Sequence, residues 1–323
     1  MSHQTPEREC AVCDTAQVDI VGTLDRNGAP LRNVLCQTCG TVWVDPRPQD
    51  DSIRTFYADD YRRAYKGAVQ PKKKHCYREL KRANARLERL RSVYQQGDRV
   101  LDIGSGAGFF PWVLAGSSVD YKGIEPNAGY AAFAREKLGL EHVQQGFLED
   151  LTESDCYDIV TIHHVFEHLP DPVDALGRIR SLLKPGGKLI IEVPNVMADY
   201  HAPNRVFHLA HLYWYNAKSL QALLARQGFA CTDLKLTPKT HHLNAIFTKT
   251  ELSALPDWRT EYAGAYEEAR RFFDSRTKFR HYASARPYQR FFEKLFGYAT
   301  EYLRVRKLSD GLEVVHAMQR ERL

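Results

Sequence analysis

The sequence predicts an α/β protein: a Rossmann-like doubly wound sheet with a small cysteine-rich module at its N-terminus and a helical insertion near its C-terminus. Three observations predict it. From residue 97 onward apolar strand-like runs alternate with amphipathic helical ones. Val100–Phe110 runs from an apolar strand through three glycines into a helix, and two C-x-x-C pairs stand near the start of the chain.

Residues 1–48 contain short β-like runs at Val18–Thr23 and Asn33–Leu35, between the pairs Cys10/Cys13 and Cys36/Cys39, which stand 22 residues apart. Two such knuckles bring four thiolates to one tetrahedral metal, so a zinc ribbon with structural Zn2+ is expected over 1–48; rubredoxin-type iron uses the same ligands. Four protein ligands leave no open coordination position. The metal should fold the module, and chelation should unfold it before the rest of the chain.

Asp45-Pro-Arg-Pro48 punctuates the chain, and 49–96 reads as a helical connector. Within it, Ser52–Tyr57 fits a short helix and Lys74–Tyr94 a long one. Tyr77, Leu80, Ala83, Leu87, Leu90 and Tyr94 line one face of the long helix. The opposite face is basic. Between Arg62 and Arg91, twelve Lys/Arg stand against Glu79 and Glu88, a local +10 in a chain of net charge +5. A solvated face, docking of an anionic substrate and a grip on RNA all fit this pattern.

The core is expected over 97–250. Strands are predicted at Arg99–Ile103, Asp120–Glu125, His142–Gln144, Asp158–His163, Lys188–Val193 and Phe229–Leu236. Helices are predicted at Phe109–Leu114, Ala128–Leu138, Pro172–Leu183 and Lys218–Gln227. Lys184-Pro-Gly-Gly187 is a turn before the fifth strand. Residues 251–306 read as the helical insertion. Residues 307–323, through Gly311-Leu-Glu-Val-Val-His316, are expected to supply the last strand, with Leu243–Thr248 as its rival.

Gly104, Gly106 and Gly108 form a G-x-G-x-G turn where the backbone must approach a ligand closely. A dinucleotide fingerprint requires glycine where Phe109 stands, and no P-loop occurs. Glu125, ending the second strand, can accept two hydrogen bonds from a ribose diol. Composition is that of an ordinary globular chain, with 43% hydrophobic and 26% charged residues. No secretory h-region or membrane-length apolar run is present. Cys76, Cys156 and Cys231 are scattered, as suits a reducing compartment, and the cytoplasm is the expected location.

These residues resemble the class I S-adenosylmethionine (SAM) dependent methyltransferases, especially the branch of zinc-ribbon-bearing sugar methyltransferases and ubiquinone-biosynthesis-like enzymes. The resemblance is carried by Leu101–Gly108, Gly123–Pro126, Tyr157–Val160, His163–Pro172, Leu183–Gly187 and Glu192–Asn195. It implies a seven-stranded sheet whose last strand is antiparallel. It also implies SAM with its methionine end over Asp102, Gly104, Ser105, Gly106 and Gly108. Ribose would lie on Glu125 beside Pro126, and adenine near Phe147, Leu148 and Glu149, with His163 walling the cofactor near the methyl. Methyl transfer then needs in-line approach and a proton acceptor. His168, paired with Glu167, is the leading base and His163 the second candidate; Glu167-His168 as a pair that only fixes its loop is the alternative. The run from Asp199 to Tyr215 suits a lid, with His208, His211 and Tyr213 as substrate-binding candidates. The expected reaction is methylation of a sugar, on a nucleotide sugar or a surface glycan, at oxygen in preference to carbon. The partner is a small molecule or glycan, an anionic one if the basic helix takes part. RNA methylation and a SAM-binding adaptor without activity are the alternatives, and nucleic acid is the less expected partner.

Overall fold

The structure, a computed structural model, describes residues 6–48, 71–255 and 257–320. The helix expected at Ser52–Tyr57, and the basic residues Arg62, Arg63 and Lys66, lie outside the described residues. One sheet has four strands, β1 (Val18–Leu24), β2 (Pro30–Cys36), β3 (Val42–Val44) and β9 (Tyr213–Trp214), in that spatial order. The other has seven: β4 (Arg99–Ile103), β5 (Asp120–Glu125), β6 (Val143–Gln145), β7 (Tyr157–His163), β8 (Leu183–Val193), β10 (Phe229–Leu236) and β11 (Leu243–Lys249). Its order is β10-β11-β8-β7-β4-β5-β6, a mixed Rossmann-like sheet as predicted. The helices are α1 (Lys73–Leu90), α2 (Phe109–Ala115), α3 (Ala128–Leu138), α4 (Pro172–Leu182), α5 (Ala217–Arg226), α6 (Trp258–Glu261), α7 (Ala265–Ser275), α8 (Lys278–Ala283), α9 (Arg286–Val305) and α10 (Gly311–Arg320). Among the described residues no helix is long and apolar enough to cross a membrane.

The chain divides into two compact units, one of Met1–Gln49 with Ile162–Tyr288, the other of Asp50–Thr161 with Gln289–Leu323. In the first, the cysteine ribbon does not stand alone. Its strand β3 pairs with β9, Val42 against Trp214 and Trp43 against Tyr213. Leu35, Val42 and Val44 share one apolar cluster with Val196, Phe207, Trp214 and Ala269. Asn216 caps α5 through the Ser219 N–H and donates its Nδ2 to the Gly40 carbonyl, 3.0 Å away. Arg226, in the last turn of α5, donates to the Val12 carbonyl and pairs with Asp14 at 2.6 Å.

The same unit corrects the assignment of the last strand. β11 runs antiparallel to both β10 and β8, and so is the antiparallel strand that the fold requires. Leu243–Lys249, not 307–323, therefore completes the sheet, and the helical block follows that strand instead of being inserted ahead of it. Lys184-Pro-Gly-Gly187, read as a turn, is taken up in the first residues of β8.

In the second unit β4, β5 and β6 are parallel, with Asp102 opposite Gly123 and Glu125 opposite Gln145. Helix α1 buries Leu80, Ala83 and Leu90 as its periodicity predicts, together with Cys76. Segment 311–320 packs on α1 as a helix, with Gly311 close against the Cys76 thiol. Two β-branched residues, Val314 and Val315, suggested a strand there. The winning signal is Asp310-Gly-Leu-Glu313: Asp310 accepts from the Glu313 N–H at 2.9 Å, and the Glu313 carboxylate accepts from the Ser309 hydroxyl at 2.8 Å. Part of the basic face of α1 is spent within this unit. Arg78 pairs with Glu301 and lies over the Tyr298 ring, Arg82 pairs with Glu79, and Lys73 donates to the Leu308 carbonyl at 2.9 Å.

Candidate functional site

The carboxyl ends of β4, β5 and β6 gather one constellation in the second unit, the position at which open α/β sheets hold ligands. Gly104, Gly106 and Gly108 all take left-handed backbone angles, with φ of 73°, 59° and 80°. At Gly108 a side chain has no room: a Cβ would stand 2.7 Å from Ala134 Cβ and 2.8 Å from Leu140 Cδ1. The N–H groups of Gly104 and Ser105 donate to the Ile124 carbonyl at 2.8 and 3.0 Å, tying the turn to β5.

Glu125 closes this turn. One carboxylate oxygen accepts from the Gly106 N–H at 2.8 Å and the other from the Asn127 N–H at 3.1 Å. A carboxylate oxygen has two lone pairs, so these bonds leave acceptor capacity for a diol. Gly146 N–H bonds the Glu125 carbonyl, which sets the turn Leu148–Asp150 beside the same strand end. There Phe147 is half-buried, Leu148 buried and Glu149 exposed, while Pro126 is half-buried after Glu125. Asp102 and Ser105 face inward. Asp102 accepts from the Thr161 hydroxyl at 2.7 Å, and the Ser105 hydroxyl donates to the Asp102 carbonyl. Their place is under the turn, shaping it. The glycine-rich loop and the carboxylate at the next strand end fit a nucleoside-bearing cofactor such as SAM.

A second constellation lies wholly in the first unit, after the carboxyl end of β7. Glu167 is only 1% exposed, and among the described residues neither of its carboxylate oxygens has a hydrogen-bond partner. Three imidazoles surround it at longer range: His164 Nδ1 at 3.5 Å, His211 Nε2 at 3.7 Å and His168 Nε2 at 3.9 Å. Leaving a buried carboxylate without hydrogen bonds costs on the order of several kcal/mol. Burial pushes the Glu167 carboxyl up, but its interaction with His164 and then the charge of His168 outweigh this, holding it below the ordinary range. His164 sits in left-handed backbone, φ 55°, and its Nε2 meets Glu192 at 3.0 Å. Burial alone would lower His164, yet Glu167 and Glu192 together raise it to about 9. Glu192 in turn accepts from Asn244 Nδ2 at 3.2 Å, across the register that places the two residues opposite each other.

His168 Nδ1 donates to the Ala210 carbonyl at 2.5 Å, which fixes its tautomer, and its ring meets that of His211 edge-on at 4.8 Å. The His208 ring lies 3.8 Å from that of His211. Burial first, then the charge of Arg26, lowers His208 to about 3; burial and the charge of His168 lower His211 as well. His208 and His211 thus belong with Glu167-His168, which their separation of about forty residues in sequence did not reveal. His163, 8% exposed, ends β7. Tyr213, the third candidate of this segment, lies in β9. It is a buried residue whose hydroxyl contacts the Pro170 carbonyl at 3.5 Å and Arg47 at 3.4 Å. Sequence reasoning places His164 beside His163, Glu167 and His168 at the end of β7 but gives it no role, and it missed Glu192 and Asn244 as members of the cluster. A charged residue ending the apolar run Leu189–Ile191 was the one signal for Glu192.

The four cysteines of the ribbon converge as their spacing predicts. Sulfurs of Cys10 and Cys39 lie 3.5 Å apart, those of Cys13 and Cys36 3.3 Å apart, and all four fall within 4.8 Å of one another. Zn–S bonds of about 2.3 Å in a tetrahedron put sulfurs about 3.8 Å apart. Backbone N–H groups of Val12, Thr38 and Cys39 point at Cys10 and Cys36 sulfurs, a donor set that favours thiolates. The site fits a structural metal.

Residues 72–234 match a family model described as a methyltransferase domain. A tRNA U34 carboxymethyltransferase of Pseudomonas aeruginosa is 31% identical over 160 residues, 45% of this chain and 50% of that protein. A ubiquinone biosynthesis O-methyltransferase of Aeromonas salmonicida is 32% identical over 105 residues, 31% of this chain and 44% of the relative. The chain spans about half the length of the relatives it matches. Among solved structures, a SAM-dependent methyltransferase from Aquifex aeolicus has 18% identity and a TM-score of 0.43, covering 54% of this chain and 98% of its own.

Proposed function

The chain belongs to the methyltransferase-domain family, and on that footing we propose that it methylates a hydroxyl of a sugar, carried on a nucleotide or at the end of a glycan, using SAM. Gly104–Gly108, shaped by Asp102 and Ser105, hold the methionine end, Glu125 with Pro126 the ribose, and Phe147, Leu148 and Glu149 the adenine. Bound there, SAM supplies an electrophilic methyl on a sulfonium that leaves as a neutral thioether. The chain's own residues then have to orient the acceptor and remove its proton.

The observation that carries this reading is the buried Glu167 with imidazoles at 3.5–3.9 Å. The Ala210 carbonyl holds His168 as the tautomer protonated at Nδ1. Its Nε2 takes the acceptor's proton, and Glu167 stabilises the imidazolium that results. His163 walls the methyl, and His208 and His211 hydrogen-bond the acceptor. The histidine- and aromatic-rich run from Asp199 to Tyr215 supports a sugar, since rings stack on sugar faces and imidazoles bond hydroxyls. O-methylation is preferred over C-methylation because a hydroxyl needs only a base. The four cysteines hold Zn2+ as a folding element. A second reading, methylation of RNA, is favoured by the similarity to a tRNA-modifying enzyme and by the basic face of α1.

The test is transfer of isotopically labelled methyl from SAM to nucleotide sugars, glycan extracts and RNA. Label in the sugar fractions is expected. Label released by ribonuclease, with binding that weakens steeply with salt, establishes the RNA reading instead, and cofactor binding with no label in any fraction sinks catalysis altogether. His168→Ala should lower turnover by about 10²–10⁴-fold at unchanged SAM affinity; full turnover removes His168 as the base.

A further inference from the structure

We propose that Glu167, His168 and His211 form a divalent-cation site, separate from the four-cysteine site. The three side chains offer one carboxylate oxygen and two ring nitrogens within 4.8 Å of one another. Two imidazoles and one carboxylate are the donor set of first-row cations such as Zn2+, Mn2+ and Co2+, and three protein ligands leave a position open for a ligand oxygen.

Four features of the geometry point to an ion. Glu167 is nearly fully buried, and among the described residues neither of its oxygens has a hydrogen bond; its nearest cationic contact is His164 at 3.5 Å, which leaves acceptor capacity that a buried charge has to fill. The contacts from His168 and His211, 3.9 and 3.7 Å, are too long for hydrogen bonds. They are close to the separation of about 3.4 Å between two ligands that each bind one ion at about 2.1 Å in a tetrahedron. His168 also carries the outer contact common to metal-bound histidines: Nδ1 donates to the Ala210 carbonyl, so that Nε2, once deprotonated, offers its lone pair on the side of Glu167. Finally, His164, the other cationic neighbour, is held on Glu192 at 3.0 Å, closer than its 3.5 Å to Glu167.

The inference rests on the methyl-transfer reading only for what the ion acts on. An acceptor hydroxyl on the open position is made more acidic by the cation and loses its proton to solvent, and His168 then serves as a ligand instead of a base. The two roles are separable by experiment. Zinc-loaded protein is dialysed against a chelator too weak to strip four thiolates, then titrated with Co2+ and followed by visible absorption and elemental analysis. One zinc and one cobalt per chain are expected, with d–d bands and without thiolate-to-cobalt charge transfer. Glu167→Gln and His211→Asn should each weaken cobalt binding by at least tenfold while keeping zinc content and SAM affinity. Failure to bind cobalt beyond the zinc equivalent, a thiolate signature, or binding that survives both substitutions overturns the site. Methyl transfer that proceeds without the second ion leaves the base reading intact, whereas cobalt binding without any methyl transfer leaves the ion site intact.

Discussion

Removing the metal from the four-cysteine site, by a strong chelator or by Cys36→Ser, is expected to abolish methyl transfer along with the fold of residues 6–48. The reason lies in the backbone between the ribbon and Glu167. The Val44 N–H donates to the Leu212 carbonyl, and the Leu212 N–H donates to the carbonyl of Glu167, each at 3.0 Å. Leu212 follows His211 directly and precedes β9, which pairs with β3. Zinc binding at such sites is worth about 10–16 kcal/mol, as much as the whole stability of an ordinary domain, about 5–15 kcal/mol. A ribbon without metal therefore gives up β3, and with it the support of 208–216. Hydrogen exchange after chelation should lose protection in 208–216 together with 6–48. Protection that persists in 208–216 while the ribbon exchanges freely contradicts the coupling. The expectation from sequence is a module that melts alone, whereas the pairing of β3 with β9 predicts one that takes the histidine segment with it.

Glu125→Ala carries the second large effect, at the glycine loop. Loss of a charge-assisted acceptor for ribose should weaken SAM binding by about 1.5–3 kcal/mol, measured by calorimetry. The same carboxylate also receives the Gly106 and Asn127 N–H groups, so the substitution loosens the turn before any ligand arrives. Glu125→Gln keeps one acceptor oxygen and should fall between the two. Equal affinities for all three proteins would refute the assignment of ribose to this residue.

Much of this was legible in the sequence. The bounds of β4 and β5 match their predicted ranges: the apolar run of β4 ends at Gly104, and β5 ends at Glu125 ahead of Pro126. The cysteine spacing carried its own geometry. What escaped was decided by partners far along the chain. Val314-Val315 reads as strand until α1 supplies a surface for a helix and Asp310 a cap. Glu192 gains its meaning from Asn244, fifty-two residues on, through the register of β8 and β11. Tyr213 stands among histidines in the sequence, and its pairing with Trp43 of β3 could not be read there. Glu167-His168 was legible as a pair. That the pair is buried with His211, and that the carboxylate lacks a hydrogen bond there, is tertiary information.

The four-stranded sheet also sets a problem of timing for the ribosome. β3 is complete at residue 44, whereas its neighbour β9 begins at residue 213. At about 5–20 residues per second that interval lasts on the order of ten seconds or more, with the edge of β3 unpaired and open to stray strands. All four ribbon cysteines have been made by residue 39. A metal ion captured at that stage would give the nascent ribbon a closed shape long before its sheet can be finished.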